Sequence, residues 1–189
     1  AIMKIITLMG SSKKKGNTAT ILGWVEDHLR TLGHEVESIY LHSKEINPCL
    51  GCAKCKEDAT QVACIRQDDG LAILEKMAQA DLTLFASPLY FWGLTSPTKA
   101  IIDRSYSLVT NYHKPDHASL VEGRRQALLV TGGGDFADNA EPAFTAFDRL
   151  VNFYKGTSAG ELYVKCTVPD ALDIEVKNQA VAFAAKIAG

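Results

Sequence analysis

Four cysteines fall within one short stretch, spaced Cys49-x2-Cys52-x2-Cys55-x8-Cys64. Thiolates so placed can hold one iron–sulfur cluster, as short ferredoxin-like runs do, and Gly51 eases the tight wrapping this needs. The same residues are compatible with structural zinc, or with reduced thiols that hold no metal. The chain has five cysteines, an odd number. Their clustering suits a metal or redox site in a reducing cytoplasm better than a disulfide framework. The fifth, Cys166, ends a strand-like run and reads as an ordinary buried thiol.

A different chemistry is written into Lys4 to Thr18, KIITLMGSSKKKGNT. An apolar, β-branched run breaks at Gly10, and a helical pattern begins near Asn17 with Ile21, Leu22, Val25, Leu29 and Leu32 on one face. Strand, small polar loop and helix start together aim backbone N–H groups at an anion. The loop adds Ser11, Ser12, Asn17, Thr18 and the lysines Lys13 to Lys15. Neither G-x-G-x-x-G nor G-x-x-x-x-G-K-[ST] is present, which argues against a dinucleotide fingerprint and a nucleoside triphosphatase loop. A monophosphate such as that of FMN fits instead. Two further loops match this reading. Ser87 to Gly93, SPLYFWG, offers three aromatic side chains on which a planar ring can stack. Thr131 and the glycines 132 to 134 permit close backbone approach to a polar ligand edge.

These loops need a frame. The hydrophobic pattern predicts strands over residues 4–9, 35–41, 81–87, 126–131 and 161–166. The first helix stops at Gly33. A second starts at Asp68 or Asp69 with Leu71, Leu74 and Met77 inward, and a third starts at Ser96-Pro97 with Ala100, Ile101 and Leu108. A fourth carries Phe144, Phe147, Val151 and Tyr154, and Pro169-Asp170 opens a fifth through Leu172, Val176, Phe183 and Ile187. Strands alternating with helices imply a doubly wound parallel sheet of order 2-1-3-4-5, with a ligand crevice above strands 1 and 3.

With 189 residues, 47% hydrophobic and 22% charged, the chain reads as one α/β domain over 1–189, its cysteine-rich loop lying at about 46–67. Twenty basic and 22 acidic residues leave a formal charge of −2, no footprint for nucleic acid or a membrane surface. No apolar run approaches a membrane span, so neither signal peptide nor anchor is expected. Pro115 between His113 and His117 makes these solvated loop histidines. Asp103-Arg104 reads as a structural ion pair, and nothing resembles a Ser–His–Asp triad.

The segments GSSKKKGNT, ADLTLFASPLYFWGLTSPTKAIIDR, GRRQALLVTGGG and PCLGCAKC resemble the flavodoxin-like NAD(P)H-dependent FMN reductases, and more narrowly their iron–sulfur flavoprotein branch. The likeness covers nearly the whole chain and keeps the order of all three cofactor loops. It implies a flavodoxin-like fold with the FMN phosphate on Ser11, Lys13, Asn17 and Thr18. It places the ring against Pro88, Leu89, Tyr90, Phe91, Trp92 and Gly93, and the pyrimidine edge near Thr131, Gly132 and Gly133. For the cysteines it implies a [4Fe–4S] cluster, although the gap before Cys64 is longer than that branch usually has. It also implies a homodimer or homotetramer with FMN near subunit contacts.

The expected activity is that of an oxidoreductase. NAD(P)H delivers hydride to FMN, and electrons pass to free flavin, a quinone or a metal centre. Hydride transfer to the flavin needs no protein acid or base, so no side chain is assigned as catalytic. The alternative is a non-enzymatic flavin or iron–sulfur electron carrier; a colourless, zinc-binding regulator of the same fold is a third. Because the cysteine loop follows strand 2, it is expected at the same sheet edge as the flavin loops, close enough to relay electrons.

Overall fold

The computed structural model describes residues 1–166 and 172–189. Pro169 and Asp170, expected to open the last helix, lie outside the described residues. Strands β1 (Lys4–Met9), β2 (Glu35–Tyr40), β3 (Leu82–Pro88), β6 (Arg125–Gly132) and β7 (Thr157–Lys165) form one parallel sheet in the order β2-β1-β3-β6-β7. Two further short strands, β4 (Val109–Thr110) and β5 (Ala118–Ser119), pair antiparallel apart from this sheet. With that hairpin set aside, the order is the expected 2-1-3-4-5.

The burial explains the arrangement. Strands β1, β3 and β6 are almost wholly buried, as unbroken apolar runs with helices on both faces require. β2 pairs only with β1 and keeps glutamates outward, as an edge strand should. Successive side chains alternate between layers. Ile6, Leu8, Phe85, Leu128 and Val130 pack under helices α2 (Asp69–Gln79), α3 (Ser96–Arg104) and α4 (Glu141–Phe153). Ile5, Met9, Leu84, Ala86 and Leu129 pack under α1 (Asn17–Thr31) and α5 (Ile174–Ala188).

Several boundaries differ from expectation. Asp68 caps α2, accepting a hydrogen bond from the Gly70 N–H at 3.1 Å, and the inner face uses Ile73 beside Leu74 and Met77 while Leu71 is half-buried. Helix α3 stops at Arg104, and Leu108 is buried in a following 3₁₀ turn, Ser105–Leu108. The Ser105 hydroxyl donates to the Ile102 carbonyl at 2.5 Å, a local bond that competes with helix continuation. β7 starts at Thr157 rather than Glu161 and runs beside β6 across a register shift at Gln126/Ala127. Asp173 caps α5, accepting from the Val176 N–H at 3.0 Å.

Gly10, at the end of β1, is required by packing. A Cβ there would lie 2.1 Å from Thr98 Oγ1 and 2.8 Å from Thr95 Oγ1. The Gly10 N–H instead donates to the Ala86 carbonyl at 2.7 Å, and its own carbonyl accepts from Thr95 Oγ1 at 2.7 Å. These bonds hold the first loop against β3 and the start of α3.

Candidate cofactor cleft and cysteine cavity

A cleft of about 530 Å³ opens at the carboxyl ends of β1, β3 and β6, where the strand order reverses. The first loop contributes Ser11, Lys13, Lys15, Gly16, Asn17 and Thr18 to its walls. Helix α1 begins after Gly16 with no side-chain cap and no acid in its first turn. Its leading N–H groups and positive dipole end are therefore presented to the cleft without an internal anion. The Thr18 hydroxyl lies 2.8 Å from that of Thr131, and both side chains are buried, so this pair joins the first and third loops. Ser11 Oγ accepts from the Lys13 N–H at 3.2 Å. The Tyr40 hydroxyl donates to the Ser12 carbonyl at 2.7 Å, and Lys14 sits 5.0 Å from the Tyr40 ring centre. Tyr40 thus braces the loop from β2, a role that sequence reasoning missed.

The second loop divides between two recesses. Pro88, Leu89 and Tyr90 line the cleft, and the Leu89 N–H donates to the Thr131 carbonyl at 2.8 Å. Tyr90 and Gly93 then exchange both backbone hydrogen bonds, at 2.9 and 3.0 Å. This closes a two-residue turn with Phe91 at φ 46° and Trp92 at φ 61°. Such a turn ordinarily takes Asn-Gly, and each bulky residue there costs about 1–3 kcal/mol. It also throws the tip outward. Phe91 is 94% exposed, and Trp92 and Gly93 line a second, apolar recess of about 500 Å³ between α3 and α4. Three of the six residues expected against a ring therefore do not line the cleft.

From the third loop, Thr131, Gly132 and Gly133 line the cleft. Gly132 is packed under Tyr163, whose hydroxyl would meet an added Cβ at 2.6 Å, whereas nothing approaches Gly133 within 4 Å. Gly133 is thus the open point of the loop. Cys166 corrects the reading of an ordinary buried thiol. It is half-buried, lines the cleft and is hydrogen-bonded with the Asn17 side chain; burial pushes its thiol up and that bond partly offsets the shift.

The four clustered cysteines surround one small cavity of about 70 Å³, together with Arg66, Arg104, Tyr106 and Ser107. Gly51 at φ 63° and Ala53 at φ 56° turn the loop around it. Among the described residues, no three His, Cys, Asp or Glu side chains converge closely enough for a single metal ion. The donor set around the cavity suits a larger anionic group. Three buried polar atoms on lining residues, Arg66 Nε, Arg104 Nε and Ser107 Oγ, have no hydrogen-bond partner. Burial raises the Cys55 thiol, Lys56 lowers it, and the neighbouring Cys64, Cys49 and Cys52 raise it again. Bare thiolates would repel one another here, and binding iron would remove that repulsion.

Arg104 is fully buried and anchors this wall. Its Nη1 donates to both Asp68 carboxylate oxygens at 2.6 and 2.8 Å and to the Asn47 carbonyl at 3.3 Å. Its Nη2 donates to Cys64 Sγ at 3.6 Å and to the Arg66 carbonyl at 3.3 Å. Arg104 is a structural ion-pair residue as expected, but its partner is Asp68; Asp103 pairs with Lys99. Burial by itself would push the Asp68 carboxyl up. Hydrogen bonds from the Asn47 backbone, Arg104 and the Asn47 side chain outweigh it and hold the carboxyl down at about 2.

The cleft and the cavity share no lining residue. The cysteine loop folds back onto α2, with the Asn47 N–H bonded to Asp68 and the Glu45 N–H to Asp69. Thr95, at the start of helix α3, is bonded to Gly10, and Arg104, at the helix's other end, lines the cysteine cavity. The two sites are thus separately lined. One of the two histidines also differs from expectation. His113 is exposed, but His117 is half-buried with its ring 5.5 Å from Tyr112 and 6.0 Å from Phe153.

A doubly wound parallel sheet with an uncapped helix start and an open glycine at its switch point defines a flavodoxin-like α/β protein. The family described as NADPH-dependent FMN reductase matches residues 3–147, and the chain belongs to that family, on its iron–sulfur flavoprotein branch. An iron–sulfur flavoprotein of Methanocaldococcus jannaschii is 40% identical over 106 residues, 56% of this chain and 53% of that protein. An iron–sulfur flavoprotein of Archaeoglobus fulgidus is 30% identical over 150 residues, 79% of this chain and 70% of that protein. The solved FMN-dependent NADH-azoreductase of Bacillus anthracis, in complex with FMN, superposes with a TM-score of 0.72 at 13% identity, over 99% of this chain and 100% of that one. At that identity the likeness is one of fold. The chain spans about half the length of the M. jannaschii protein and of several other curated relatives. No helix among the described residues is long and apolar enough to cross a membrane.

Proposed function

We propose that the chain is an FMN-dependent oxidoreductase that takes electrons from NAD(P)H and passes them to a flavin, a quinone or a metal centre. One observation carries this: an uncapped, acid-free helix start shares a cleft of about 530 Å³ with Ser11, Lys13, Lys15 and the open Gly133. Ser11, Lys13, Asn17 and Thr18 hold the phosphate of FMN, with the first N–H groups of α1. Pro88, Leu89 and Tyr90 face the ring, and Thr131, Gly132 and Gly133 face its polar edge. Bound FMN supplies the hydride and electron chemistry, while these residues bind, orient and shield it. Cys49, Cys52, Cys55 and Cys64 hold a [4Fe–4S] cluster, a one-electron centre, inside the cavity edged by unpartnered donors. Five unpaired cysteines suit a reducing cytoplasm.

Anaerobically purified protein should show two resolved flavin bands with broad absorbance at longer wavelength. It should carry about four irons and four acid-labile sulfides per chain. NAD(P)H should be oxidised steadily in the presence of a quinone or free flavin. Bound FMN that NAD(P)H leaves oxidised would favour the electron carrier instead. A Cys52→Ala variant should lose the iron and keep the FMN; iron retained in that variant would remove Cys52 from the ligand set.

The protein assembles with copies of itself. Tyr90, Phe91 and Trp92 are 54%, 94% and 57% exposed beside the apolar recess lined by Leu94, Ile102, Phe147, Leu150 and Phe153, more bare apolar surface than one loop ordinarily leaves to water. Light scattering should give a dimer or tetramer at micromolar concentration, shifted toward monomer by Phe91→Asp. A wild-type monomer with FMN fully bound would refute the assembly.

A further inference from the structure

We propose that Arg104 and Ser107 set the reduction potential of the [4Fe–4S] centre, holding it higher than the four thiolates alone would. The inference rests on the cluster reading of the cysteine loop. Eight buried side-chain polar atoms among the described residues have no hydrogen-bond partner, and three of them belong to residues lining this one small cavity. Two of the three, Arg104 Nε and Ser107 Oγ, sit on adjoining turns at the end of α3, on residues that are each 1% exposed. Donors buried without partners are rare and costly, and their gathering around four thiols marks a wall built to face an acceptor.

The geometry of Arg104 supports this role. Asp68, the Asn47 carbonyl and the Arg66 carbonyl fix the guanidinium, and its remaining contact is the one from Nη2 to Cys64 Sγ. Nη2 is thereby shared between the Arg66 carbonyl and a sulfur ligand. Reduction adds one electron and no proton, so the centre becomes more negative by one unit. Hydrogen bonds from N–H and O–H donors to the sulfurs stabilise that more negative state and raise the potential. Asp68 neutralises the net charge of Arg104, so the effect comes mainly from directed N–H···S bonding. Ser107, which is uncharged, acts by hydrogen bonding alone.

The test is a redox titration of the anaerobic holoprotein with dithionite and mediators, following the cluster by EPR and the FMN by absorbance. Ser107→Ala removes one donor, and Arg104→Lys keeps the charge and a bond to Asp68 but removes the fork. Each should lower the reduced-to-oxidised ratio of the cluster at a fixed poise about tenfold, equivalent to about 59 mV for a one-electron couple. Iron content and the FMN potential should stay as in the wild type. A merely structural role would alter iron retention or unfolding without moving the potential of the retained cluster. If Arg104→Lys fails to fold, Ser107→Ala decides. Wild-type iron with unchanged potentials in the folded variants would overturn the inference and leave the cluster reading standing. Wild-type protein without iron or sulfide would overturn both.

Discussion

Replacing Arg104 by methionine should lower folding stability by about 3–5 kcal/mol, read as an earlier urea midpoint at unchanged slope. The guanidinium is wholly buried and gives two hydrogen bonds to Asp68, whose side chain is 4% exposed. Methionine fills much of the volume but leaves the buried carboxylate with the Asn47 and Gly70 hydrogen bonds and no countercharge, which is what makes such a deletion severe. The loss is a large share of the roughly 5–15 kcal/mol that holds an ordinary domain together. Adding Asp68→Asn should recover part of it, because asparagine still caps α2 and carries no charge.

The acid dependence follows from the same pair. The folded carboxyl of Asp68 is held at about 2, below its ordinary value of 3.8. A depressed carboxyl contributes stability that is fully present above its unfolded value and is lost as pH falls through its folded one. The wild type should therefore lose this contribution between about pH 4 and pH 2. Arg104→Met should lose less in that window, since its Asp68 keeps only the Asn47 hydrogen bonds that favour the ionised form. Equal acid sensitivity of the two proteins, followed by circular dichroism, would show that Arg104 does not hold the carboxylate down.

The double variant Ser11→Ala, Thr18→Ala should bind FMN on the order of 100-fold more weakly, measured by fluorescence quenching on titrating the apoprotein. A hydrogen bond to a charged group contributes about 1.5–3 kcal/mol, and each 1.4 kcal/mol is tenfold in affinity, so two such bonds reach this size. Thr18 has a second attachment, the hydroxyl contact with Thr131 at 2.8 Å, whose loss should cost about 1 kcal/mol of stability. Thr131→Val removes that contact without touching Ser11 or the start of α1. It therefore separates loop bracing from phosphate binding, and should weaken FMN much less than the double variant. An unchanged dissociation constant in the double variant would move the phosphate away from this loop.

The sequence by itself determined the frame and the inventory. Buried parallel strands write themselves as unbroken apolar runs, as in ITLM of β1 and LTLFAS of β3, and helices as a 3.6-residue stripe. Glycine breaks after β1 and β6 then fix which loops share the switch point, so the Ser11 to Thr18 and Thr131 to Gly133 segments were legible together. The cysteine spacing was equally plain. What only the tertiary structure decided is which side chains meet. Arg104 finds Asp68 across 36 residues, and Thr18 finds Thr131 across 113, with no periodicity to announce either pair. The aromatic loop looked uniform in composition, yet the bonds between Tyr90 and Gly93 turn Phe91 and Trp92 out of the cleft. Cys166 enters that cleft because its N–H donates to the Gly132 carbonyl at 2.7 Å, which ties the end of β7 to the third loop. Local patterns encode backbone periodicity and its interruptions. The partners of buried polar groups are chosen by the packing of whole layers, where each donor must find an acceptor wherever the chain has brought one.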